Sequence, residues 1–305
     1  MKIISNNSDF TIPERTVVAI GKFDGDHLGH QKIFEEMRKI KRKYGLKMAA
    51  FTFSAVNQPL ISSDDEKHKL LEKEGIDYLV EYPFNDDIRK ISGHDFILQI
   101  LKKKMNMSHI VAGDDCSFGY NKSGNPSLLY EMSEINEYKV TIISKLKLND
   151  REISSTMIRE MISEGDMEDI YRIKGSYYSI SGKVIRNKQL GRTIGFPTAN
   201  IIPSDEKILP KHGVYASRVE TEDGRVYDSM TNIGCNPSVH EKNSCTVKCE
   251  SHLFDFNEDI YDRNIRIYFI RYIRDEIKFD SIEQLMLQLE ADKKIIKNYF
   301  DSIES

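Results

Sequence analysis

The first half of the chain alternates short apolar runs with longer segments in which apolar residues recur at helical spacing. After the apolar run Thr16–Ile20, the residues Ile33, Met37 and Ile40 recur at helical spacing, and Gly45 follows as a typical helix stop. The same alternation predicts further strands at 48–53, 78–80, 110–112 and 140–143, and further helices at 66–74, 95–104 and 128–135. Such alternation is typical of a parallel sheet covered by helices. It predicts an α/β domain with a Rossmann-like sheet, whose ligands bind at the carboxyl ends of the strands.

The pattern changes near residue 175, where helical spacing gives way to alternating, β-rich stretches. These stretches lie at 177–185, 214–219, 246–254 and 265–273. Turn signals such as Glu222-Asp223-Gly224 separate them, and this spacing predicts a small antiparallel β-barrel. Apolar residues then recur at helical spacing over 281–300, which predicts a terminal helix packed on the barrel. We therefore expect two domains, residues 1–172 and residues 173–305.

Composition narrows the class of protein. Of the 305 residues, 39% are hydrophobic and 30% are charged, which is typical of a folded globular protein. No apolar run approaches the roughly 20 residues that cross a bilayer, and the first residues lack the core of a signal peptide, so we expect a cytoplasmic protein with no membrane partner. A net charge of −4 without a long basic block makes nucleic acid a poor partner. The four cysteines form no C-x-x-C pair, which favours reduced thiols over a zinc or redox site.

The stretch GKFDGDHLGH, Gly21 to His30, follows the first predicted strand and concentrates glycines and titratable residues. Glycines let the backbone turn sharply and approach a ligand, and the N–H groups of the following helix favour an anion. His27 and His30 can both face one phosphate and donate hydrogen bonds to it. A turn with solvated histidines and a zinc site are the alternatives, although neither an H-E-x-x-H motif nor a cysteine partner supports zinc. Because the stretch has neither G-x-G-x-x-G nor G-x-x-x-x-G-K-[ST], a dinucleotide fingerprint and a P-loop are disfavoured.

A second candidate phosphate-binding stretch is ISSTMIRE, Ile153 to Glu160. The hydroxyl side chains of Ser154, Ser155 and Thr156 can cap a helix or bind phosphate. Arg159, about one turn further, can reach the same anion. A capped helix is the plainer interpretation of this stretch alone. Combined with the histidine loop, however, the stretch resembles the nucleotidyltransferase superfamily, whose members activate small molecules with ATP and release pyrophosphate.

The second domain carries its own dense motif, GRTIGFPTAN, Gly191 to Asn200. Gly191 and Gly195 make the backbone pliable next to Arg192. Thr198 and Asn200 offer uncharged oxygen ligands to a hard cation that holds ATP phosphates. A β-turn containing proline is the alternative interpretation.

Over nearly its full length, the chain resembles the bacterial bifunctional riboflavin kinase/FMN adenylyltransferase family. The ordered matches are 21–31, 111–119, ISSTMIRE, GRTIGFPTAN, HGVYA from His212, NIGCNPSV from Asn232, ESHLFDF from Glu250 and FIRYIRDEIKFDSIEQL from Phe269. The resemblance implies that the C-terminal domain phosphorylates riboflavin to FMN and that the N-terminal domain adenylylates FMN to FAD. Both steps would use ATP with Mg²⁺. The expected partners are riboflavin, FMN and ATP, and the expected state is a monomer or weak homo-oligomer.

Within the kinase domain, the resemblance implies that Glu250 is the catalytic base. It implies that Thr198 and Asn200 bind both the metal and ATP, as oxygen ligands suited to Mg²⁺. The further residues that it places by the ATP phosphates are Lys183, Arg192 and Gly195, and those that it places by the flavin are Arg271 and Arg274. The two arginines are equally consistent with surface charges.

Within the N-terminal domain, the resemblance makes His27 and His30 the catalytic histidines. The residues that it assigns to ATP and phosphate are Gly21, Phe23, Asp24, Gly29, Ser154, Ser155, Thr156 and Arg159. It places Gly113 and Asp115 at the flavin or adenine pocket, with Asp115 as a flavin-binding residue. Such groups would stabilise charge on the α-phosphate and on departing pyrophosphate.

The N-terminal match departs from the family at three places. Lys22 stands where Asn or Thr is usual, and Asp26 stands where a small apolar residue is usual. Residues 54–57 lack the histidine and proline of the family's T-F-x-P-H-P segment. One alternative is therefore a riboflavin kinase with a slow or inactive adenylyltransferase domain, or the converse. Another is a regulatory module that binds flavin or nucleotide without turnover.

Overall fold

The computed structural model describes residues 1–53, 59–186, 190–237 and 245–304. The chain folds as two compact units, Met1–Met157 and Ile158–Ser305, which we call the N-terminal unit and the C-terminal unit. The functional boundary expected at residue 172 stays a prediction.

A parallel sheet forms the centre of the N-terminal unit. Its strands are β1 (Lys2–Ser5), β2 (Thr16–Ile20), β3 (Lys47–Phe53), β4 (Tyr78–Tyr82), β5 (Met107–Gly113) and β6 (Lys139–Ile143). Within the described residues the sheet is six-stranded, in the spatial order β1-β4-β3-β2-β5-β6. Val17, Val18 and Ala19 of the inner strand β2 are fully buried, because apolar clusters cover both faces of the sheet. The predicted α/β class is confirmed.

Helices follow the strands of this sheet. They are α1 (Leu28–Tyr44), α2 (Asp64–Lys73), α3 (Asp86–Lys90), α4 (Gly93–Asp95) and α5 (Pro126–Ile135), with a π-helical segment at Phe96–Lys104 and a 3₁₀ turn at Tyr120–Lys122. Helix α1 buries the predicted apolar stripe and ends at Gly45, whose φ is 65°. Ser63 begins α2 in a capping box with Glu66, so that helix starts two residues before the predicted range. The helix expected at 95–104 is a short α4 that continues as a π-helix.

A short hairpin, β7 (Lys147–Leu148) and β8 (Arg151–Glu152), precedes α6 (Ser155–Glu164) and α7 (Met167–Lys174). An antiparallel sheet follows in the C-terminal unit. Its strands are β9 (Tyr178–Lys183), β10 (Ala199–Ile201), β11 (Gly213–Thr221), β12 (Val226–Pro237), β13 (Cys245–Leu253) and β14 (Asn264–Arg274), with a helical turn α8 (Leu190–Thr193) and the terminal helix α9 (Ile282–Glu304). Within the described residues the strand order is β10-β13-β12-β11-β14-β9.

The antiparallel class and the terminal helix are confirmed. Strand β12 was not among the predicted strands. Its inward face carries the fully buried hydroxyls of Ser229 and Thr231, which bond to Ser217, so the strand lacks an apolar alternation to read. Ile296 and Phe300 of α9 are buried against this sheet's apolar cluster.

In the described ranges, no helix is both long and apolar enough to span a bilayer. Cys116 and Cys249 are free thiols, as expected. The expectation is wrong for Cys235, which is disulfide-bonded.

Candidate active sites

The histidine loop, Gly21 to His30, lies at the carboxyl end of β2. Its backbone turns through left-handed conformations, with φ of 49° at Phe23, 94° at Gly25 and 34° at Asp26. Phe23 is buried between the rings of His30 and Phe34, with centroids 5.5 and 5.4 Å away. Gly21 extends the sheet by donating its N–H to the carbonyl of Phe51. The loop is therefore an anchored, conformationally unusual turn of the kind found at functional sites.

His27 and His30 come together as the sequence predicts. His27 is the N-cap residue of α1, and the two rings stack with centroids 3.8 Å apart. Burial and the neighbouring His27 hold the pKa of His30 well below its ordinary value, so this ring is neutral near pH 7. Within the described residues, Nδ1 of His30 is buried without a hydrogen-bond partner. Gly29 makes room for the pair, since a Cβ there would lie 3.0 Å from Nδ1 of His27.

Asp24 and the ISSTMIRE stretch meet at the same loop. Ser155 donates its hydroxyl hydrogen bond to the carbonyl oxygen of Asp24 at 2.7 Å. Ser154 accepts a hydrogen bond from the N–H of Met157 at 3.3 Å and so caps the start of α6. Thr156 is exposed in the first turn of α6, and Arg159 follows one turn after Ser155. The carboxylate of Asp24 accepts hydrogen bonds from main-chain amides instead of facing open space.

Gly113 and Asp115, predicted to shape the flavin or adenine pocket, lie at the end of β5: Gly113 is its last residue and Asp115 follows two residues later. Because β5 pairs with β2, they lie at the same edge of the sheet as the histidine loop. Asp115 is exposed and forms an ion pair with Lys145 at 3.1 Å. A Cβ at Gly113 would lie 3.0 Å from Oδ1 of Asp115. Of the departures from the family, Lys22 is exposed and Asp26 lies next to His27, while residues 54–57 are outside the described residues.

In the C-terminal unit, strand register brings the key polar residues side by side. Asn200 on β10 pairs with Glu250 on β13, and Glu250 pairs in turn with Asn232 on β12. Asn200 is buried and donates its amide hydrogen bond to Oγ1 of Thr198 at 3.0 Å. The arrangement puts two neutral oxygen ligands and one carboxylate in a single row across adjacent strands.

This row lies between two cavities. A cavity of about 300 Å³ has Glu250 and Asn232 in its wall. Its apolar lining residues are Ile194, Phe196, Val214, Met230, Ile277, Phe279, Leu285 and Leu289. A more polar cavity of about 510 Å³ is lined by Asn200, Glu258, Asp259 and Tyr261, among others. Thr198 lines both cavities, so the row and Thr198 together border each of them.

Sequence reasoning did not single out His252, Asn232 or Glu276, which also line the smaller cavity. His252 is buried, and its Nδ1 donates to the carbonyl of Pro197 at 2.9 Å, next to Thr198. Burial lowers the pKa of His252. Its position two residues after Glu250 on one strand, hence on the same face, was the available signal. Asn232 donates to Glu276 at 3.1 Å.

The remaining predicted residues are more dispersed. Lys183 is exposed and lies 3.5 Å from Asp262. Gly195 adopts a φ of 84° in the loop after α8, and the side chain of Arg192 lies outside the described residues. Arg274 lines the smaller cavity, but its guanidinium is bonded to both carboxylate oxygens of Asp292. Arg271 instead lies over the ring of Tyr299, 4.8 Å from its centroid.

Comparison with known proteins points to one family. The family model described as FAD synthetase matches residues 9–157, and the one described as riboflavin kinase matches residues 174–300. A bifunctional riboflavin kinase/FMN adenylyltransferase of Bacillus subtilis is 35% identical over 300 residues, covering 95% of this chain and 94% of that protein. A protein of the same name from Buchnera aphidicola is 35% identical over 315 residues, covering 99% of each.

A crystal structure from Streptococcus pneumoniae shows the same fold. It is 32% identical, has a TM-score of 0.88, and covers 97% of this chain and 98% of that one. That structure is described as a macrolide-efflux protein, a function that neither matched family model describes. The likeness therefore supports the fold, and the family rests on the two models and the curated relatives.

Proposed function

The chain belongs to the bifunctional riboflavin kinase/FMN adenylyltransferase family, and on that premise we propose that it makes FAD from riboflavin in two ATP-dependent steps. The C-terminal unit transfers a phosphoryl group from ATP to riboflavin, giving FMN and ADP. The N-terminal unit transfers AMP from ATP to FMN, giving FAD and pyrophosphate. The observation that carries the proposal is the row of Asn200, Glu250 and Asn232 beside Thr198, which lines both cavities.

The two cavities suit the two kinase substrates. The apolar lining of the smaller cavity suits the flat flavin ring, and the larger, more polar cavity suits ATP. Glu250 accepts the proton of the terminal ribityl hydroxyl as that oxygen attacks the γ-phosphorus. The new O–P bond forms as the bond from phosphorus to the ADP oxygen breaks. In this proposal Lys183, Arg192 and Gly195 serve the phosphates, and Arg274 and Arg271 border the flavin.

Thr198 and Asn200 fit a Mg²⁺ ion. Their hydroxyl and amide oxygens are hard, neutral ligands, which Mg²⁺ uses together with phosphate oxygens and water. Among the described residues, no group of three His, Cys, Asp or Glu side chains could hold a metal by itself. We therefore place the ion as the partner of ATP, where it neutralises phosphate charge when bound.

Adenylyl transfer in the N-terminal unit needs no protein nucleophile. A phosphate oxygen of FMN attacks the α-phosphorus of ATP, and pyrophosphate leaves. His27 and His30, at the start of α1, donate hydrogen bonds to oxygens on which charge develops. The residues that we assign to ATP beside them are Gly21, Phe23, Gly29, Ser154, Ser155, Thr156 and Arg159. Gly113 and Asp115 border the flavin.

A second candidate function is a riboflavin kinase whose adenylyltransferase unit is slow. Asp26 favours this candidate, because its backbone has a φ of 34° and its carboxyl group is next to His27 in the chain. A carboxylate near ATP phosphates costs on the order of a kcal/mol or more where water is partly excluded. The exposed ammonium group of Lys22 or a bound cation would offset that cost.

Two single substitutions test the assignment of one reaction to each unit. We expect Glu250→Gln to reduce FMN formation from riboflavin by about 10²-fold or more, because general-base catalysis is worth about that much. It should spare FAD formation from supplied FMN.

His30→Ala should abolish FAD formation and spare FMN formation. Equal loss of both reactions in a folded variant would contradict the two-site assignment, and chromatography of the flavins measures both.

A further inference from the structure

We propose that Asp24 is a positioning residue for adenylyl transfer, joining three segments of the N-terminal unit around the histidine pair. The inference rests on the proposed adenylyltransferase function of this unit. It gives Asp24 a role different from the phosphate contact implied by the sequence resemblance.

The carboxylate of Asp24 holds the segment that precedes α2. Its Oδ1 accepts hydrogen bonds from the N–H of Ile61 at 3.0 Å and of Ser62 at 2.9 Å. Asp24 is only 6% exposed, so these bonds lie largely out of water. Hydrogen bonds to an ionised acceptor are roughly twice as strong as neutral ones. The carboxylate therefore fixes the main chain at 61–62, directly before the Ser63 cap of α2.

The main chain of Asp24 holds the start of α6. Its carbonyl oxygen accepts the 2.7 Å hydrogen bond from Ser155. One residue thus contacts the segment before α2 through its side chain and the phosphate-binding stretch through its backbone.

Side-chain packing strengthens the first of these links. Gly25 has a φ of 94°, and a Cβ there would lie only 2.9 Å from Cδ1 of Ile61. Ile61 is buried against this glycine, so the loop and residue 61 are joined twice. The contacts support the left-handed conformations of Phe23, Gly25 and Asp26, and hence the approach of His27 to His30.

The negative charge of Asp24 also favours a positioning role over direct binding of ATP. A carboxylate repels the anionic phosphates of ATP, whereas the amides of Ile61 and Ser62 supply the donors that it needs. Adenylyl transfer depends on the placement of the α-phosphate against donors, and a misplacement of about 1 Å can cost about 10²-fold in rate. Removing the hydrogen bonds that the Asp24 carboxylate accepts should therefore lower kcat more than it weakens ATP binding.

The test compares Asp24→Ala and Asp24→Asn with the full-length wild-type chain. The amide oxygen of the Asn variant still accepts main-chain hydrogen bonds, whereas the Ala variant has no acceptor. We expect Asp24→Ala to lower kcat for FAD formation from FMN by about 10²-fold, with KM for ATP within about threefold of wild type. Asp24→Asn should recover a large part of the lost kcat. FMN formation by the C-terminal unit, measured in the same samples, should not change.

Asp77→Asn is the matched control. Asp77 also accepts a main-chain hydrogen bond, from Met48 at 2.8 Å, but it lies at the opposite edge of the same sheet. If loss of a hydrogen-bonded carboxylate lowered FAD formation only by destabilising the fold, Asp77→Asn would lower it as well. A positioning role specific to Asp24 predicts a near-normal kcat in Asp77→Asn.

Hydrogen exchange supplies a readout that does not depend on turnover. The amides of Ile61 and Ser62 should exchange faster in Asp24→Ala than in wild type. If wild-type protein makes no FAD, the proposed function of this unit fails. Slow exchange of these amides in wild type and fast exchange in Asp24→Ala would still support the role of Asp24 in holding residues 61–62. Unchanged exchange in Asp24→Ala overturns the proposal. Equal losses of kcat in the Ala and Asn variants, with a raised KM for ATP, also overturn it, because that result indicates a direct ligand.

Discussion

At the residue scale, three histidines have surroundings that disfavour their charged form. His30, His109 and His252 all have a lowered pKa, with burial as the main cause. Each also has a buried ring nitrogen without a hydrogen-bond partner among the described residues. These rings are kept neutral by the folded chain, which suits His30 for donating a hydrogen bond without adding a fixed charge to the site.

Acid should therefore weaken the fold. Because the unfolded chain binds protons at histidine more readily than the folded chain does, the free energy of unfolding falls as pH drops below about 6.5. His109 lies outside both candidate sites, and its Nε2 contacts Thr141 at 2.9 Å. We expect His109→Gln to lose less Tm than wild type between about pH 7.5 and about pH 5.5.

Scanning calorimetry measures this difference. His94→Gln, at an exposed histidine on α4, is the control and should keep the wild-type pH dependence. A steeper loss of Tm in His109→Gln than in wild type would contradict the interpretation.

At the element scale, pairing between strands and one helix builds the kinase site. The register of β10, β13 and β12 aligns its polar row, and α9 closes the smaller cavity with Leu285 and Leu289. Helix α9 is fixed to the end of β14 by Arg274, which bonds both oxygens of the buried Asp292 at 2.7 to 3.1 Å. The same bonds explain why the guanidinium of Arg274 faces the helix.

Breaking this pair should affect stability and riboflavin binding together. Removing one partner of a buried ion pair costs about 3 to 5 kcal/mol, because the other charge is left unpaired. We expect Asp292→Ala to lower the free energy of unfolding of the C-terminal unit by about that amount. It should also raise KM for riboflavin, as α9 forms part of the cavity wall.

Lys297→Ala is the control on the same helix, since Lys297 pairs with the exposed Asp255 and such pairs contribute about 0 to 1 kcal/mol. Denaturant unfolding and riboflavin saturation curves measure the two effects. A normal KM in a destabilised Asp292→Ala would show that α9 does not shape the cavity.

At the scale of the whole molecule, periodicity predicted much of the fold. The buried run of β2 and the stripe of α1 are local patterns, so both were predictable, as was the meeting of His27 and His30 three residues apart. The sequence also predicted an antiparallel second half, because β11, β13 and β14 alternate visibly.

The remaining features depend on contacts distant in sequence. Strand β12 buries hydroxyls that only find partners once β11 and β13 pair with it. From its motif alone, Asp24 is expected to bind phosphate. Only the fold shows that its carboxylate contacts Ile61 and Ser62, which are distant along the chain. His252 carries no motif of its own, and only the fold brings it against Pro197.

The central claim, two sequential activities in one chain, is tested most directly by a chromatographic time course. Purified protein is given riboflavin, ATP and Mg²⁺, and a parallel reaction starts from FMN. We predict that FMN forms first and is then converted to FAD, and that the parallel reaction makes FAD without delay. Accumulation of FMN, with supplied FMN left unconverted, would contradict the account and leave the chain a riboflavin kinase alone.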